Sequence, residues 1–235
     1  MNKQYADYLL EKTKEDYNLI AKDYTRTRAF IPEDIKQLAE YILPGEKILD
    51  SGCASGRFFP LVKERKGDYV GIDLSEKLVE IARNYYPQAE FQTANALSLP
   101  FPDDSFDKVY SISVLHNIPS QNFQLRYLRE TARVLKPKGL LILRVWDLWR
   151  RKEGWKLLFK YSLLKLIGMS KLNFYDVFMP WKNYQGKTVT MRYFHCFTEK
   201  GLERLIKRSG FKIKKIWRAG KDPRANLYVI AEKSL

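Results

Sequence analysis

Apolar positions along the chain recur first at helical and then at strand intervals. Over residues 5–24 (YADYLLEKTKEDYNLIAKDY) they return every three or four residues, which predicts a leading amphipathic helix. Pro32 stands where the first turn of a second helix would begin. Glu33 and Asp34 suit the positive end of its dipole, and IKQLAEYIL carries it to a stop at Pro44-Gly45. From Lys47 the rhythm shortens. KILD, DYVGID, AEFQTA, FDKVYSIS and GLLILRVW read as buried strands, separated by helix-like segments such as SEKLVEIARNYY and SQNFQLRYLRETARVL. Strands alternating with helices predict an α/β fold with a mostly parallel sheet and helices on both faces. Residues 147–190 interrupt the alternation with a segment rich in Trp, Phe, Tyr, Leu and Lys, which reads as an insertion. TEKGLERLIKRSG resumes it as a helix. FKIKKIWRAG and ANLYVIAEK then form two strands about a turn at Asp222-Pro223, too short a connection for anything but antiparallel pairing. One domain over 1–235 is expected, with an N-terminal helical segment at 1–45 and the insertion at 147–190.

Composition narrows the class without naming it. With 45% hydrophobic residues the 235-residue chain is neither disordered, collagen-like nor a disulfide-knotted miniprotein. Its 42 Lys and Arg against 27 Asp and Glu give a net charge of +15. Residues 1–143 hold 20 basic and 20 acidic side chains, whereas 144–235 hold 22 and 7, so the whole surplus lies in the last 92 residues. A neutral scaffold followed by a basic surface suggests a polyanion or an anionic membrane as partner. Cys53 and Cys196 are single, with no metal-ligand spacing and no disulfide framework, which favours a reducing compartment. The charged start MNKQYADYLLEKTKED is unlike a secretory signal, and no run of about 20 apolar residues is present, so a cytoplasmic location is expected.

The chemistry begins at ILDSGCASGRF. Asp50 ends the first strand, Gly52 follows two residues on and Gly56 opens the next helix, a spacing that admits the backbone close to a ligand where any Cβ would intrude. VGIDLS ends the second strand with Asp73, placed to accept hydrogen bonds from ribose hydroxyls. TANALSLPF follows the third, where Asn95, with Ala96 beside it, can meet an adenine edge through its paired donor and acceptor. A glycine loop, a ribose acid and an adenine group on three successive strands place one nucleoside across their carboxyl ends.

With the closing antiparallel hairpin, this order resembles the class I methyltransferase fold, a Rossmann-like, mostly parallel seven-stranded sheet. The resemblance spans roughly residues 15–233 and implies S-adenosyl-L-methionine as cofactor. The usual pattern D-x-G-C-G-x-G has Ala54 in place of its middle glycine here, and Asn95 replaces the usual acid. More specifically, YNLIAKDYTRTR, SFDKVYSISVLHNI, RETARVLKPKGLLILRVW, DVFMPW and RYFHCF occur in the order seen in the tRNA wobble-uridine methyltransferase family. That resemblance implies esterification of the carboxylate of 5-carboxymethyluridine in the tRNA anticodon stem-loop. It also brings in a small zinc-binding activator protein, with which members work in several lineages, as a candidate partner.

A carboxylate is already ionised at neutral pH, so such a site must position and desolvate it rather than deprotonate it. Arg28, Arg192 and His195 are the candidates. Arg192 is expected to grip the substrate carboxylate and Arg28 to lie at or near the methionine carboxylate. His116, in VLHNI at the end of the fourth strand, occupies the position from which class I enzymes reach the transferred methyl, with Asn117 where the family has a second histidine. Strict strand geometry sends Arg192 and His195 to opposite faces, and a bend would bring them together. Tyr17 and Tyr24 can close over the cofactor or pack in the core. Trp146 and Trp181 can stack on a splayed base or be buried. The basic, aromatic insertion suits a phosphate backbone. Its segment WKLLFKYSLLKLIGM also suits peripheral contact with a membrane surface, which would indicate a quinone or lipid methyltransferase. A catalytically silent RNA-binding protein is the third alternative.

Overall fold

A computed structural model of the protein describes residues 1–221 and 224–234. The Asp222-Pro223 turn lies outside the described residues. The first helix, α1 (Lys3–Thr27), is longer than expected at both ends; Asn2 caps its start by accepting the Tyr5 N–H, and the Arg28 N–H closes its end on the Thr25 carbonyl. The second, α2 (Glu33–Ala39), stops short of Pro44. The N–H groups of Glu40, Tyr41 and Ile42 bond three residues back, to Gln37, Leu38 and Ala39, so the last turn tightens, and Glu46 then takes the Leu43 N–H.

Alternation follows in β1 (Lys47–Ser51), α3 (Phe59–Glu64), β2 (Asp68–Asp73), α4 (Glu76–Tyr85), β3 (Glu90–Thr93), β4 (Phe106–Ile112), α5 (Gln121–Val134) and β5 (Leu135–Trp146). After the insertion come α7 (Glu199–Lys207), β8 (Phe211–Ala219) and β9 (Asn226–Lys233). The seven strands lie in the order β3-β2-β1-β4-β5-β9-β8; the first five are parallel, and β9 is antiparallel to β5 and β8. Strand periodicity divides the core between the two faces. Leu49, Val109, Leu141 and Leu143 pack with Tyr127 and Leu128 of α5 and Leu202 and Ile206 of α7. Ile48, Tyr110 and Ile142 pack with Ile35 of α2, Val62 of α3 and Val79 of α4. The order of successive strands reverses at β1, with β2 and β3 on one side of it and β4 and β5 on the other, so the crevice beyond its carboxyl end is the switch point where open α/β sheets bind ligands.

The insertion is structured. It forms α6 (Lys152–Leu166) and a separate antiparallel pair, β6 (Asp176–Lys182) and β7 (Thr188–His195). This hairpin turns at Asn183, whose Oδ1 accepts the N–H groups of Gln185 and Lys187, and at Gly186 with φ +77°. The strings DVFMPW and RYFH are thus paired strands, a relation that the dense aromatics of the segment conceal. No helix among the described residues is long and apolar enough to cross a membrane.

Candidate functional site

The loop after β1 is shaped by contacts that leave its backbone facing the crevice. Gly52 has φ +87°, and a Cβ there would lie 2.2 Å from Val114 Cγ2. Both Gly52 and Cys53 donate their N–H groups to the Ile72 carbonyl at 2.8 Å. Ala54, standing at the position that would be glycine in the usual pattern, is held at φ +50°. Asp73 supports it: Oδ2 accepts the Ala54 N–H and Oδ1 accepts the Ser75 N–H, each at 2.9 Å. Ser75 caps α4 and donates its hydroxyl to Asn18 on α1, tying the leading helix to the site. Asn95 accepts the Leu97 N–H through Oδ1 at 2.9 Å, which turns its amide nitrogen to other partners.

A cleft opens between this loop and α1. Tyr17, Tyr24, Gly52, Ala54, Asp73, Asn95, Ala96, Ser113 and Asn117 are among the residues lining it. Tyr17 and Tyr24 meet edge to face at 5.4 Å between centroids. The cleft thus brings together Tyr17, Gly52, Asp73, Asn95 and Ala96. Arg28, Asp50 and Gly56 stand outside its lining. Gly56, at φ +78°, lies where a Cβ would meet the Phe91 ring at 2.6 Å. Arg28 lies over the rings of Tyr24 and Trp181, at 5.4 and 5.8 Å. Asp50 is buried and accepts the Tyr69 hydroxyl at 2.9 Å.

Burial pushes the Asp50 carboxyl up to about 7, with the Tyr69 hydrogen bond opposing it. Between the unfolded carboxylate pKa of about 3.9 and 7, the native state keeps a proton that the unfolded state has lost, so stability falls as pH rises. Ligand-free Asp50→Asn is therefore expected to melt above the parent at pH 8, with the gap closing toward about pH 4. Coincident melting curves at pH 8 would refute this.

The second half of the site is built by β7. Arg192 is 5% exposed and lies over Trp181 at 4.8 Å, Phe194 at 5.1 Å and Tyr17 at 5.8 Å. Its Nη1 reaches the Tyr17 hydroxyl at 3.4 Å, and that hydroxyl donates to Asn117 Oδ1, also at 3.4 Å. Its buried Nε has no hydrogen-bond partner, and Arg192 forms no ion pair among the described residues. A buried guanidinium lacking an anion is costly to fold around, and its free donors are able to hold one. Burial pushes the Tyr17 phenol up to about 12 against the pull of Arg192, which keeps it a neutral donor.

His116 sits in a short 3-10 turn after β4 and accepts the Trp146 N–H through Nδ1 at 3.2 Å. Burial, then the charges of Arg151, Arg144 and Arg192, hold its pKa well below the usual range, so the imidazole is neutral. It stacks on Phe194, which stacks on Trp146 at 5.0 Å and 13°. Arg151 lies over Trp146 at 4.5 Å and is tied to the Ala225 carbonyl. Trp181 donates Nε1 to Asp23. Both tryptophans are therefore committed to holding the site together rather than left as open platforms for a base.

His195 does not join Arg192. Pairing between β6 and β7 runs without a break from Asp176↔His195 to Trp181↔Thr190, so no bend overcomes the odd spacing. His195 Nδ1 instead lies 2.7 Å from Asp176 Oδ1, which also accepts the Tyr193 hydroxyl at 2.8 Å. Arg57 was missed by sequence reasoning. Its side chain is half-buried, and burial together with the nearby charges of Arg144 and Arg28 lowers its pKa. An arginine directly after Gly56 was the available signal.

Residues 49–143 match the family model described as a methyltransferase domain. The chain is 32% identical over 168 residues to a putative methyltransferase of Encephalitozoon cuniculi, covering 71% of this chain and 70% of that protein. It is 26% identical to a tRNA (carboxymethyluridine(34)-5-O)-methyltransferase of Schizosaccharomyces pombe, covering 97% of this chain and 99% of the relative. A solved SAM-dependent methyltransferase from Methanosarcina mazei superposes with a TM-score of 0.72 at 25% identity, covering 85% of this chain and 97% of that one. The chain spans about a third of the length of other curated relatives it matches, from mammals and a plant.

Proposed function

From the premise that the chain belongs to the methyltransferase family, with S-adenosylmethionine as cofactor, we propose that it esterifies the carboxylate of 5-carboxymethyluridine at the tRNA wobble position. The observation that carries this is Arg192, a buried guanidinium without a counter-ion beside the cleft that Tyr17 lines. The full-length similarity to the fission yeast enzyme supports the substrate, and the basic C-terminal part suits a tRNA phosphate backbone.

The residues present fit the cofactor. Asp73 keeps a lone pair on each oxygen after accepting two backbone N–H groups, which suits ribose hydroxyls. Asn95 and Ala96 would face the adenine, while Gly52, with no Cβ, and Tyr17 would flank the methionine portion. Ala54 narrows the loop by one methyl group, yet its left-handed backbone matches what a glycine would adopt. When bound, S-adenosylmethionine supplies an electrophilic methyl group on its sulfonium.

The remaining work falls to side chains. Arg192 offers a planar fork that holds a carboxylate in one orientation, and the Tyr17 hydroxyl and Asn117 brace that fork. Phe194 and Trp181 line its other sides and exclude water, which strengthens the electrostatic hold. No general base is required of His116, whose neutral ring and bond to the Trp146 N–H instead fix the Phe194 stack. Arg28 and Arg57 place further positive charge around Tyr24. The small zinc-binding activator of the family belongs to this proposal as a partner.

The test is incubation with labelled cofactor and tRNA carrying carboxymethyluridine, with and without such an activator, followed by nucleoside mass spectrometry. Conversion to the methyl ester is expected. An unchanged carboxymethyluridine peak from protein that binds cofactor would overturn the assignment.

A further inference from the structure

Of the large apolar side chains left exposed, most cluster between residues 155 and 191. On α6, Trp155, Phe159, Leu163 and Leu166 follow one another at spacings of four, four and three, which places them in one stripe. Trp155 is 57%, Phe159 73% and Leu166 72% exposed, and Ile167 and Met169, the latter 73% exposed, continue the stripe past the helix end. The opposite side of α6 is already satisfied: Leu158 is buried with Leu148, Val177 and Phe194, and Tyr161 packs on Phe178. The stripe is thus surplus to folding, and leaving it in water costs free energy that an occupant would recover.

Charge identifies that occupant. Residues 154–171 contain four lysines and no Asp or Glu. Lys156 and Lys160 each follow a stripe aromatic by one position, so they run beside it, about 100° around the helix. A second copy of the chain would set these lysines against lysines. RNA would meet the lysines but gain nothing from Leu163, Leu166, Ile167 and Met169, which neither stack nor hydrogen-bond. An apolar stripe edged by lysines matches a bilayer with anionic headgroups, the apolar side chains entering the acyl boundary while the ammonium groups stay at phosphate level.

We infer that the exposed face of α6 is a peripheral docking surface for an anionic membrane. It places α6 in the interface plane and the Arg192 site on a protein held at the bilayer. The inference is independent of the methyl-transfer substrate.

The full chain is to be floated with vesicles of phosphatidylcholine alone and of phosphatidylcholine with phosphatidylglycerol at a 7:3 ratio, at low and at elevated salt. Two variants are compared, Phe159→Asp with Leu166→Asp, and Lys156→Glu with Lys160→Glu. All four positions are exposed, and unchanged melting temperatures will verify folding. Co-flotation with the anionic vesicles is expected, falling about tenfold or more in either variant and only partly reversed by salt. Absence of co-flotation, or equal co-flotation of the Asp variant, would overturn the inference. So would a concentration-dependent dimer, or tRNA binding, that the Asp substitutions abolish while vesicles are ignored.

Discussion

Arg192→Met is expected to raise the melting temperature while lowering kcat/KM on carboxymethyluridine tRNA by about 100-fold or more. The two effects share one cause. Arg192 is buried against Trp181, Phe194 and Tyr17, its Nε has no partner, and no carboxylate pairs with it among the described residues. Methionine has a similar length, fills the same aromatic slot and removes the desolvation penalty, as replacement of buried charges by apolar side chains often does. What it removes is the charged fork, and a lost charge-assisted hydrogen bond pair is worth roughly 3 kcal/mol, or about two powers of ten in rate. Arg192→Lys keeps the charge without the planar fork and should fall between the two. The checks are thermal melts and steady-state kinetics on the same preparations, with cofactor affinity measured separately and expected to hold. A variant that melts lower and turns over normally would show that Arg192 is structural.

Asp73→Ala should weaken cofactor binding by about 100-fold or more in calorimetry with S-adenosylhomocysteine, and should also lower the melting temperature. The carboxylate holds the Ala54 and Ser75 N–H groups, so its loss leaves two donors unpaired and frees a residue kept at φ +50°. These contributions separate in the double variant Asp73→Ala/Ala54→Gly. Glycine takes the left-handed conformation without strain, so it should return part of the melting temperature and none of the affinity. Full recovery of binding in the double variant would mean that Asp73 acts only through the loop.

Most of the scaffold was legible because short apolar runs and glycine turns are local signals. KILD, DYVGID and GLLILRVW each became strands of the central sheet, and the short closing connection predicted the antiparallel β8–β9 pairing. Gly52, Asp73 and Asn95 were found by their order along the chain and meet in one cleft. What periodicity could not show was pairing across distance. The β6–β7 hairpin was hidden in an aromatic segment, and with it the fact that Arg192 faces Tyr17, 175 residues away, while His195 turns to Asp176. Asp50 and Gly56 share the loop's signature, yet packing turns one toward Tyr69 and sets the other against Phe91.

Tyr17 lies before the stretch 49–143 that matches the family model, and Arg192 lies after it. Gly52, Asp73 and Asn95 lie within it. Under the proposed function, most residues that would meet the cofactor lie within that stretch and the arginine that would meet the substrate lies after it, while α1 touches both: Asn18 takes the Ser75 hydroxyl, and Asp16 and Tyr17 meet Thr190 and Arg192 of β7. On that reading, a change of substrate needs edits only in the β6–β7 hairpin, with every residue of the glycine loop left as it was.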